Sequence, residues 1–368
     1  MKLLFYYPTH FNAPSNVGRE IFHNIYSIKN KLSFDIAILA DSKSYKKLKI
    51  IFPDVDLYSI KSIRKISKTN SVMHIPTSPF VAPNERFLFH SMALLKKCPL
   101  IINYHGDIQF ETKNKIKNKE YISSLLYLPS FIMIPQILHR SNQVIVNSYL
   151  MNNLTQKKYK MNSCIIPNAI NESWFKELDF NCFPNFESYI FYHGRLSYEK
   201  GVDILIQAYA LCKKRLNIKT HLFIAGEGPQ KRYLMALCKK MRIENQVKFL
   251  GFLTQDELKG YIKKADALFY PSRYEPFSLA ILESLSIAQG PVFFSNRAGI
   301  SDFVNNKKYN LFQFYPEINS LYKIMNLFFT DFYSNCHIIT KQQEFGKKFV
   351  WKNIIPLYIN IYNKFTNI

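Results

Sequence analysis

The sequence predicts an α/β protein built from two doubly wound, Rossmann-like domains facing across a cleft. Three observations predict it. Short apolar runs alternate with helical patterns along the chain, as parallel sheets made of strand–helix–strand units require. The 368 residues are long for one domain and comfortable for two, and a hydrophobic content of 48% can fill two cores. A polar, irregular interval carrying Pro184 separates two such series.

The first series opens with MKLLFYYPTHFN, a short apolar run without a small-residue cleavage site, which reads as a first strand and not a signal peptide. The predicted strands are Leu3–Tyr7, Asp35–Leu39, Val72–Ile75, Leu100–Tyr104, Gln143–Asn147 and Cys164–Pro167. Residues 171–187 form the predicted linker, which leaves 1–170 as an N-terminal domain and 188–340 as a C-terminal one. In the latter the predicted strands are Tyr189–His193, His221–Ala225, Val247–Leu250, Ala267–Tyr270 and Pro291–Ser295, with helical patterns such as Val202–Lys214 and Gln230–Met241 between them. The closing stretch 341–368, helical over Gln342–Phe365, is long enough to cross back to the first domain. No tandem repeat or low-complexity block interrupts this order.

Six scattered cysteines show no CxxC pair and no His/Cys cluster, so neither a disulfide framework nor a zinc site is expected, and a reducing cytoplasm fits. The formal net charge is +23, divided into +12 over residues 1–180 and +11 over 181–368. An excess spread so evenly is weak evidence for nucleic acid; it suits an anionic small substrate or an acidic membrane surface. Lys113, Lys115, Lys117 and Lys119 precede an uncharged stretch, Tyr121 to His139, that approaches membrane-spanning length. Pro129 and Pro135 interrupt it, and a helix packed on the first domain is expected there, with a membrane-facing surface and a plain core helix both left open.

The chemistry concentrates between Tyr270 and Pro291. Glu275 stands just before a predicted helix and Glu283 inside it, with Pro276, Phe277 and Ser278 as the helix entry. A helix start offers N–H groups and a positive dipole end to phosphate, and a carboxylate one turn in can take ribose hydroxyls. An amphipathic helix with two solvated glutamates is the plainer alternative. Earlier in the chain, Gly194 ends a strand, Arg195 can fork onto phosphate oxygens and Lys200 adds a mobile charge, although a solvated loop would look the same. Gly226-Glu227-Gly228-Pro229 reads as a tight turn that shapes a cleft. Asp54-Val55-Asp56 is too common a pattern to carry a metal, and its neighbours read as a loop entering a strand.

Glu275-Pro-Phe-Ser-Leu-Ala-Ile-Leu-Glu283 resembles the paired-glutamate motif of the retaining glycosyltransferases of family 4, which have the GT-B fold. HGRLSYEKGVDILIQAYA, IAGEGP, VKFLGFL and ALFYPSRYEPFS follow that family's order at matching distances. The resemblance is dense in the second half and thin in the first. It implies that Arg195 and Lys200 neutralise a nucleoside diphosphate, that Glu283 holds ribose, and that Glu275 sits by the donor sugar. It further implies backbone contacts from Phe277, Ser278 and Leu279, and a nucleobase near Gly251 and Phe252. His105, after LIINY, matches the family's N-domain histidine as a positioning residue, with Asp107 its neighbour or a loop residue. The loop Pro8–Arg19 departs from the family's glycine pair, Ala169 and Asn171 replace its usual glycine and acid, and Asp302 stands where Glu is commoner.

The implied activity is transfer of a hexose, with retention, from a UDP- or GDP-type sugar to a glycan or lipid-linked acceptor, as in surface polysaccharide, lipopolysaccharide or protein glycan assembly. No metal and no cofactor is expected, the nucleotide sugar being a substrate. The expected place is the cytoplasm, with peripheral contact to the inner membrane face left open, and no nucleic-acid partner. A sugar-nucleotide epimerase or phosphorylase of related fold, and a non-catalytic basic binding protein, remain as alternatives.

Overall fold

The computed structural model describes residues 1–7, 17–40, 44–59, 71–76, 98–177, 188–304, 311–331 and 336–365. The expectations for residues 8–16 of the N-terminal loop and 178–187 of the linker lie outside these described residues. Two compact units emerge. One comprises Met1–Lys115, Glu120–Asn168 and Trp351–Ile368; the other comprises Ile116–Lys119 and Ala169–Val350.

The first unit holds seven parallel strands: β1 (Lys2–Tyr6), β2 (Asp35–Leu39), β3 (Asp56–Tyr58), β4 (Ser71–Ile75), β5 (Leu100–Asn103), β6 (Gln143–Val146) and β7 (Cys164–Ile165). Their order is β3-β2-β1-β4-β5-β6-β7. Central strands of such a sheet are covered on both faces and so read as unbroken apolar runs. Leu3, Leu4, Phe5 and Tyr6 of β1 and Ile101 and Ile102 of β5 are all buried. The helices between strands are α1 (Val17–Ser27), α2 (Tyr45–Ile51), α3 (Ile108–Lys117), α4 (Tyr121–Leu125), α5 (Leu128–Arg140) and α6 (Tyr149–Tyr159). The single helix expected over Tyr121–His139 is thus two. Its break at Leu126–Tyr127 precedes Pro129, which sits in the first turn of α5, where a missing N–H costs nothing, while Pro135 lies inside that helix.

The second unit holds six parallel strands: β8 (Tyr189–His193), β9 (His221–Ala225), β10 (Val247–Gly251), β11 (Ala267–Tyr270), β12 (Val292–Ser295) and β13 (Gln313–Phe314). They are ordered β10-β9-β8-β11-β12-β13. Its helices are α7 (Val202–Leu216), α8 (Lys231–Lys240), α9 (Gln255–Lys264), α10 (Leu279–Ile287), α11 (Ser301–Val304), α12 (Ile318–Asp331) and α13 (Cys336–Gly346). Trp174, in a short turn of the expected linker, is buried in this unit's core. The helix expected over Gln342–Phe365 is also two, α13 and α14 (Trp351–Asn363). The break is fastened by Ile170, whose N–H donates to the Phe349 carbonyl at 2.9 Å and which bridges Val350.

A buried polar network ties α14 to the first sheet. His74 of β4 meets the Tyr362 hydroxyl through Nδ1 at 2.8 Å and Asn103 Oδ1 through Nε2 at 3.0 Å. Asn103 donates in turn to the Tyr358 hydroxyl at 3.4 Å. Burial lowers the His74 pKa to about 3, so the ring is neutral and acts by hydrogen bonding alone. Tyr362→Phe would leave one His74 nitrogen buried without this partner. We expect it to lower stability by about 1–3 kcal/mol, read as a lower urea midpoint; an unchanged midpoint would show that the network does not fasten α14.

Candidate active site

From β8 the chain adds β9 and β10 on one side, then returns to β11, β12 and β13 on the other. The reversal makes a topological switch point between β8 and β11, and sheets of this kind bind ligands outside the carboxyl ends of the strands there. Gly194, Arg195 and Lys200 follow β8; Glu275, Phe277, Ser278, Leu279 and Glu283 follow β11. The structure therefore brings these sequence-predicted residues to one place within the second unit. Gly251 and Phe252 end β10, two strands away from β8, and the Phe252 ring is 69% exposed.

Backbone contact without side chains builds the floor of this place. Gly226 has φ +125°, and a Cβ there would lie 2.0 Å from the Gly194 carbonyl oxygen, so the turn after β9 and the loop after β8 touch main chain to main chain. The Gly226 N–H also donates to the Gly251 carbonyl at 2.6 Å. Glu227, exposed, pairs with Lys231 at 2.6 Å, which accords with a shaping role for this turn. At Gly201, with φ +68°, an added Cβ would meet the Pro271 carbonyl at 2.0 Å; the loops after β8 and β11 are pressed together there.

Arg195 is exposed, and Lys200 ends a short turn, Tyr198–Lys200. The Lys200 ammonium forms an ion pair with the Glu275 carboxylate, both side chains being partly buried. Arg273 braces this arrangement. It makes a two-pronged pair with Asp203 at 2.7 and 2.6 Å, donates to the Tyr198 carbonyl at 2.8 Å and stacks over the Tyr198 ring at 4.4 Å. Its N–H donates to the Glu199 carbonyl at 2.7 Å. The guanidinium thereby spans the two loops that carry Lys200 and Glu275.

Ser278 caps α10, its hydroxyl accepting from the Ile281 N–H at 3.3 Å, as the sequence predicts. Pro276 stays two residues ahead of the cap, outside the helix. Ser278 holds φ +89°, a strained conformation for a side-chain-bearing residue, at the point where the helix presents its N-terminus. The segment Asn296–Asp302 is knitted to this motif. Gly299 N–H donates to the Glu275 carbonyl at 2.8 Å, Ile300 N–H to the Phe277 carbonyl at 3.1 Å, and Glu275 N–H to the Arg297 carbonyl at 3.2 Å. Asp302 itself lies in the first turn of α11.

Glu283, in the second turn of α10, has 14% of its side-chain surface accessible, and burial raises its pKa to about 8. His193, the last residue of β8, is pushed down to about 3 by burial, with an Ala280 carbonyl opposing and the Lys200 charge assisting. The 3.9 Å approach of His193 Nδ1 to Glu283 Oε2 therefore joins a neutral ring to a largely protonated acid at neutral pH. His193 is fixed from its other side: Nε2 meets the Ser284 hydroxyl at 3.1 Å, which meets the Tyr270 hydroxyl at 2.5 Å.

His105 follows β5 of the first unit and is half-buried, with its pKa lowered by burial to about 4, so it carries no charge at neutral pH. Asp107 is a structural residue. It is buried, accepts from the Gln109 N–H at 3.0 Å at the start of α3, from the Tyr104 hydroxyl at 3.0 Å, and pairs with Lys158 at 2.8 Å. Asp54 and Asp56 are engaged at the sheet edge: Asp54 with Lys29 and the Tyr26 hydroxyl, Asp56 with Lys2. Asp56 opens β3, in accord with the loop entering a strand expected there.

Arg273, Asp203, His193, Ser284 and Tyr270 are site residues that the sequence reading passed over. Arg273 and His193 lie inside the motifs quoted for the resemblance, each beside a residue that was singled out, which is the signal that could have found them.

The fold defines a class: two Rossmann-like units, each built on a parallel sheet, as in proteins of the GT-B fold. Anabaena HepE, solved with UDP and glucose, matches with a TM-score of 0.71 at 17% identity over 99% of this chain and all of that one. Residues 177–344 match the family Glycosyl transferases group 1. An uncharacterized glycosyltransferase of Methanocaldococcus jannaschii is 31% identical over 197 residues, 52% of this chain and 50% of the relative. A Campylobacter jejuni N-acetylgalactosaminyltransferase, whose name gives a diphospho-undecaprenol-linked saccharide as acceptor, is 27% identical over 210 residues, 57% of this chain and 53% of the relative. The chain thus matches about half the length of these curated relatives.

Two outcomes follow from the geometry. In a double-mutant cycle of Arg273→Gln and Asp203→Asn, the coupling should reach about 1 kcal/mol or more; additive losses would show that the brace is not energetic. Glu283 has a folded pKa above its unfolded one, so the folded state holds a proton that the unfolded chain releases, and stability declines as pH rises towards 8. His193 is neutral in the folded state throughout pH 6.5 to 8 and loses its remaining unfolded-state charge just above pH 6.5, opposing the trend only at that end, so the decline should be about 2 kcal/mol at most. Glu283→Gln should flatten it in denaturant titrations across that window; an identical slope would remove Glu283 as its source.

Proposed function

We propose that this protein is a retaining, metal-independent hexosyltransferase that moves a sugar from a nucleoside diphosphate donor to a glycan or lipid-linked glycan in surface polysaccharide, lipopolysaccharide or protein glycan assembly. The observation that carries this reading is the Lys200–Glu275 ion pair beside the Ser278-capped start of α10, with Arg195 exposed on the same loop as Lys200. A cation, a second cation and a helix N-terminus converge where a diphosphate needs them.

In the proposed reaction the diphosphate enters over the loops after β8 and β11. Lys200 exchanges part of its interaction with Glu275 for phosphate oxygens, and Arg195 adds its fork. The neutralising charge is therefore in place before the bond breaks, which is where electrostatic catalysis has its effect. Glu283 takes the ribose hydroxyls, Glu275 places the hexose, and backbone N–H groups at Phe277, Ser278 and Leu279 complete the anion contacts. The nucleobase lies near the exposed Phe252 and the strand end at Gly251 in this reading. The acceptor oxygen attacks C1 on the face from which the diphosphate departs. The C1–oxygen bond to the β-phosphate breaks, the new C1–oxygen bond forms, and the acceptor proton passes to the leaving phosphate oxygen. No side chain serves as a covalent nucleophile in this route, and the cations at the leaving group make a metal ion unnecessary. HepE's capture with UDP and glucose supports the donor class, and the Campylobacter relative's named acceptor supports a lipid-linked one.

Thermal-shift measurements with UDP-, GDP- and ADP-sugars should single out one nucleotide class. Arg195→Ala and Lys200→Ala should each weaken binding of that diphosphate about tenfold to a hundredfold and slow transfer, while EDTA leaves turnover unchanged. Wild-type affinity and rate in both variants would sink the site assignment, and loss of turnover with EDTA would sink metal independence.

A further inference from the structure

The α4–α5 segment of the first unit is inside out. Its buried positions include Ser124 (7% exposed) and Ser130 (0%), while Ile122 (79%), Ile132 (69%), Leu125 (63%), Tyr121 (59%) and Leu128 (57%) face outwards. A helix facing water shows the opposite pattern, because apolar area removed from water is the main stabilising term. Leu126 and Phe131 extend the same exposed set, and Phe110 of α3 adds a further exposed ring in that unit. Isolated exposed apolar residues need no explanation, but so many in one short segment do.

Charge indicates what covers them. Lys113, Lys117 and Lys119 are exposed just ahead of the apolar segment, while Lys115 pairs with Glu120 at 2.8 Å; His139 and Arg140 close it, and no acidic residue lies between Tyr121 and Arg140. Basic residues flanking exposed aliphatic and aromatic groups suit the headgroup and upper acyl region of an anionic bilayer. A second copy of this chain is a poorer partner. Two-fold pairing through the patch would bring two copies of the lysine cluster together on a protein already carrying +23.

Tyr121–Arg140 is also long and apolar enough to cross a membrane, but the structure assigns it another disposition. The segment is two helices, and Ile134, Ile137 and Leu138 of α5 are fully buried inside the first unit. Crossing would draw these residues out of the core and strand the break at Leu126–Tyr127 in hydrocarbon. We infer that the exposed face of α4 and the first half of α5 is a monotopic docking surface for an anionic lipid bilayer. The protein would rest on the membrane with Ile122, Leu125, Leu128 and Ile132 in the interface and the preceding lysines against acidic headgroups.

The test uses the full chain without donor or acceptor, so its result is independent of the proposed reaction. Co-sedimentation is measured with phosphatidylcholine vesicles with and without phosphatidylglycerol, at low and high salt. Binding should favour the anionic vesicles and weaken with salt. The triple variant Ile122→Glu/Leu125→Glu/Ile132→Glu should lose vesicle binding while keeping its melting temperature, since all three side chains face outwards. Lys113→Gln, Lys117→Gln and Lys119→Gln should each weaken anionic binding about fivefold. The proposal is overturned if the glutamate variant binds vesicles as the wild type does. It is equally overturned if wild-type protein ignores vesicles and light scattering shows a dimer that the glutamate variant dissolves.

Discussion

The Lys200–Glu275 ion pair is the interaction on which the site depends. It connects the loop after β8 with the loop after β11, the two segments that flank the switch point of the second sheet. An ion pair between partly exposed side chains contributes little by itself. This one is held in place by its surroundings: Gly201 allows the two loops to approach to backbone contact, and Arg273 ties Asp203 and the Tyr198 and Glu199 carbonyls into one frame. The rigidity lies in the frame, and the mobile charge of Lys200 is the part left able to change partner. In the proposed reaction that division is useful. An incoming diphosphate meets a cation already located and partly desolvated, and Glu275 is released towards the sugar as Lys200 turns to phosphate.

The second carboxylate works under different physics. Among the described residues Glu283 has no cation as close as Lys200 is to Glu275, and burial keeps it largely protonated at neutral pH. A protonated carboxyl can both donate and accept, which suits hydroxyl groups better than it suits phosphate. The neutral His193, anchored through Ser284 and Tyr270, fixes one side of this pocket without adding charge. In the proposed reaction one helix thus offers its N-terminus at Ser278 to the anion and the Glu283 face one turn later to hydroxyl groups.

Much of this was legible in the sequence, for a physical reason. The buried parallel strands are unbroken apolar runs, and the loops that follow β8 and β11 carry glycine, proline and charge in dense groups. What escaped was either too short or too distant. β13 is two residues long, below the length at which any periodicity shows. Arg273 finds Asp203 across 70 residues, and His193 finds Ser284 across 91; neither pairing has a local signature. The helix breaks at Leu126–Tyr127 and before Trp351 were missed because the flanking apolar patterns run on through them, and tertiary contacts decide where each helix stops. Asp107 was left open between two roles, and donors from Tyr104, Gln109, Phe110 and Lys158 give it a structural one.

The inside-out segment shows why exposure must be read with composition. The sequence from Tyr121 to His139 is compatible with a core helix, a spanning helix and a surface helix, because all three are apolar and uncharged. Burial separates them. A core helix would hide Ile122 and Ile132 and show Ser124 and Ser130; the structure does the reverse. A spanning helix would be continuous and would not contribute Ile134, Ile137 and Leu138 to a soluble core. Only a helix that shares itself between a protein interior on one side and an apolar medium on the other satisfies every position. The serines tolerate burial because local carbonyls can take their hydroxyls, as Ser124 does with Tyr121 at 2.7 Å. Their small size also lets the segment sit close against the unit, leaving the larger side chains for the outer face. If that medium is an acidic membrane, the evenly spread positive charge of the chain stops being a curiosity of composition. It becomes a long-range attraction for the surface on which a lipid-linked acceptor would lie.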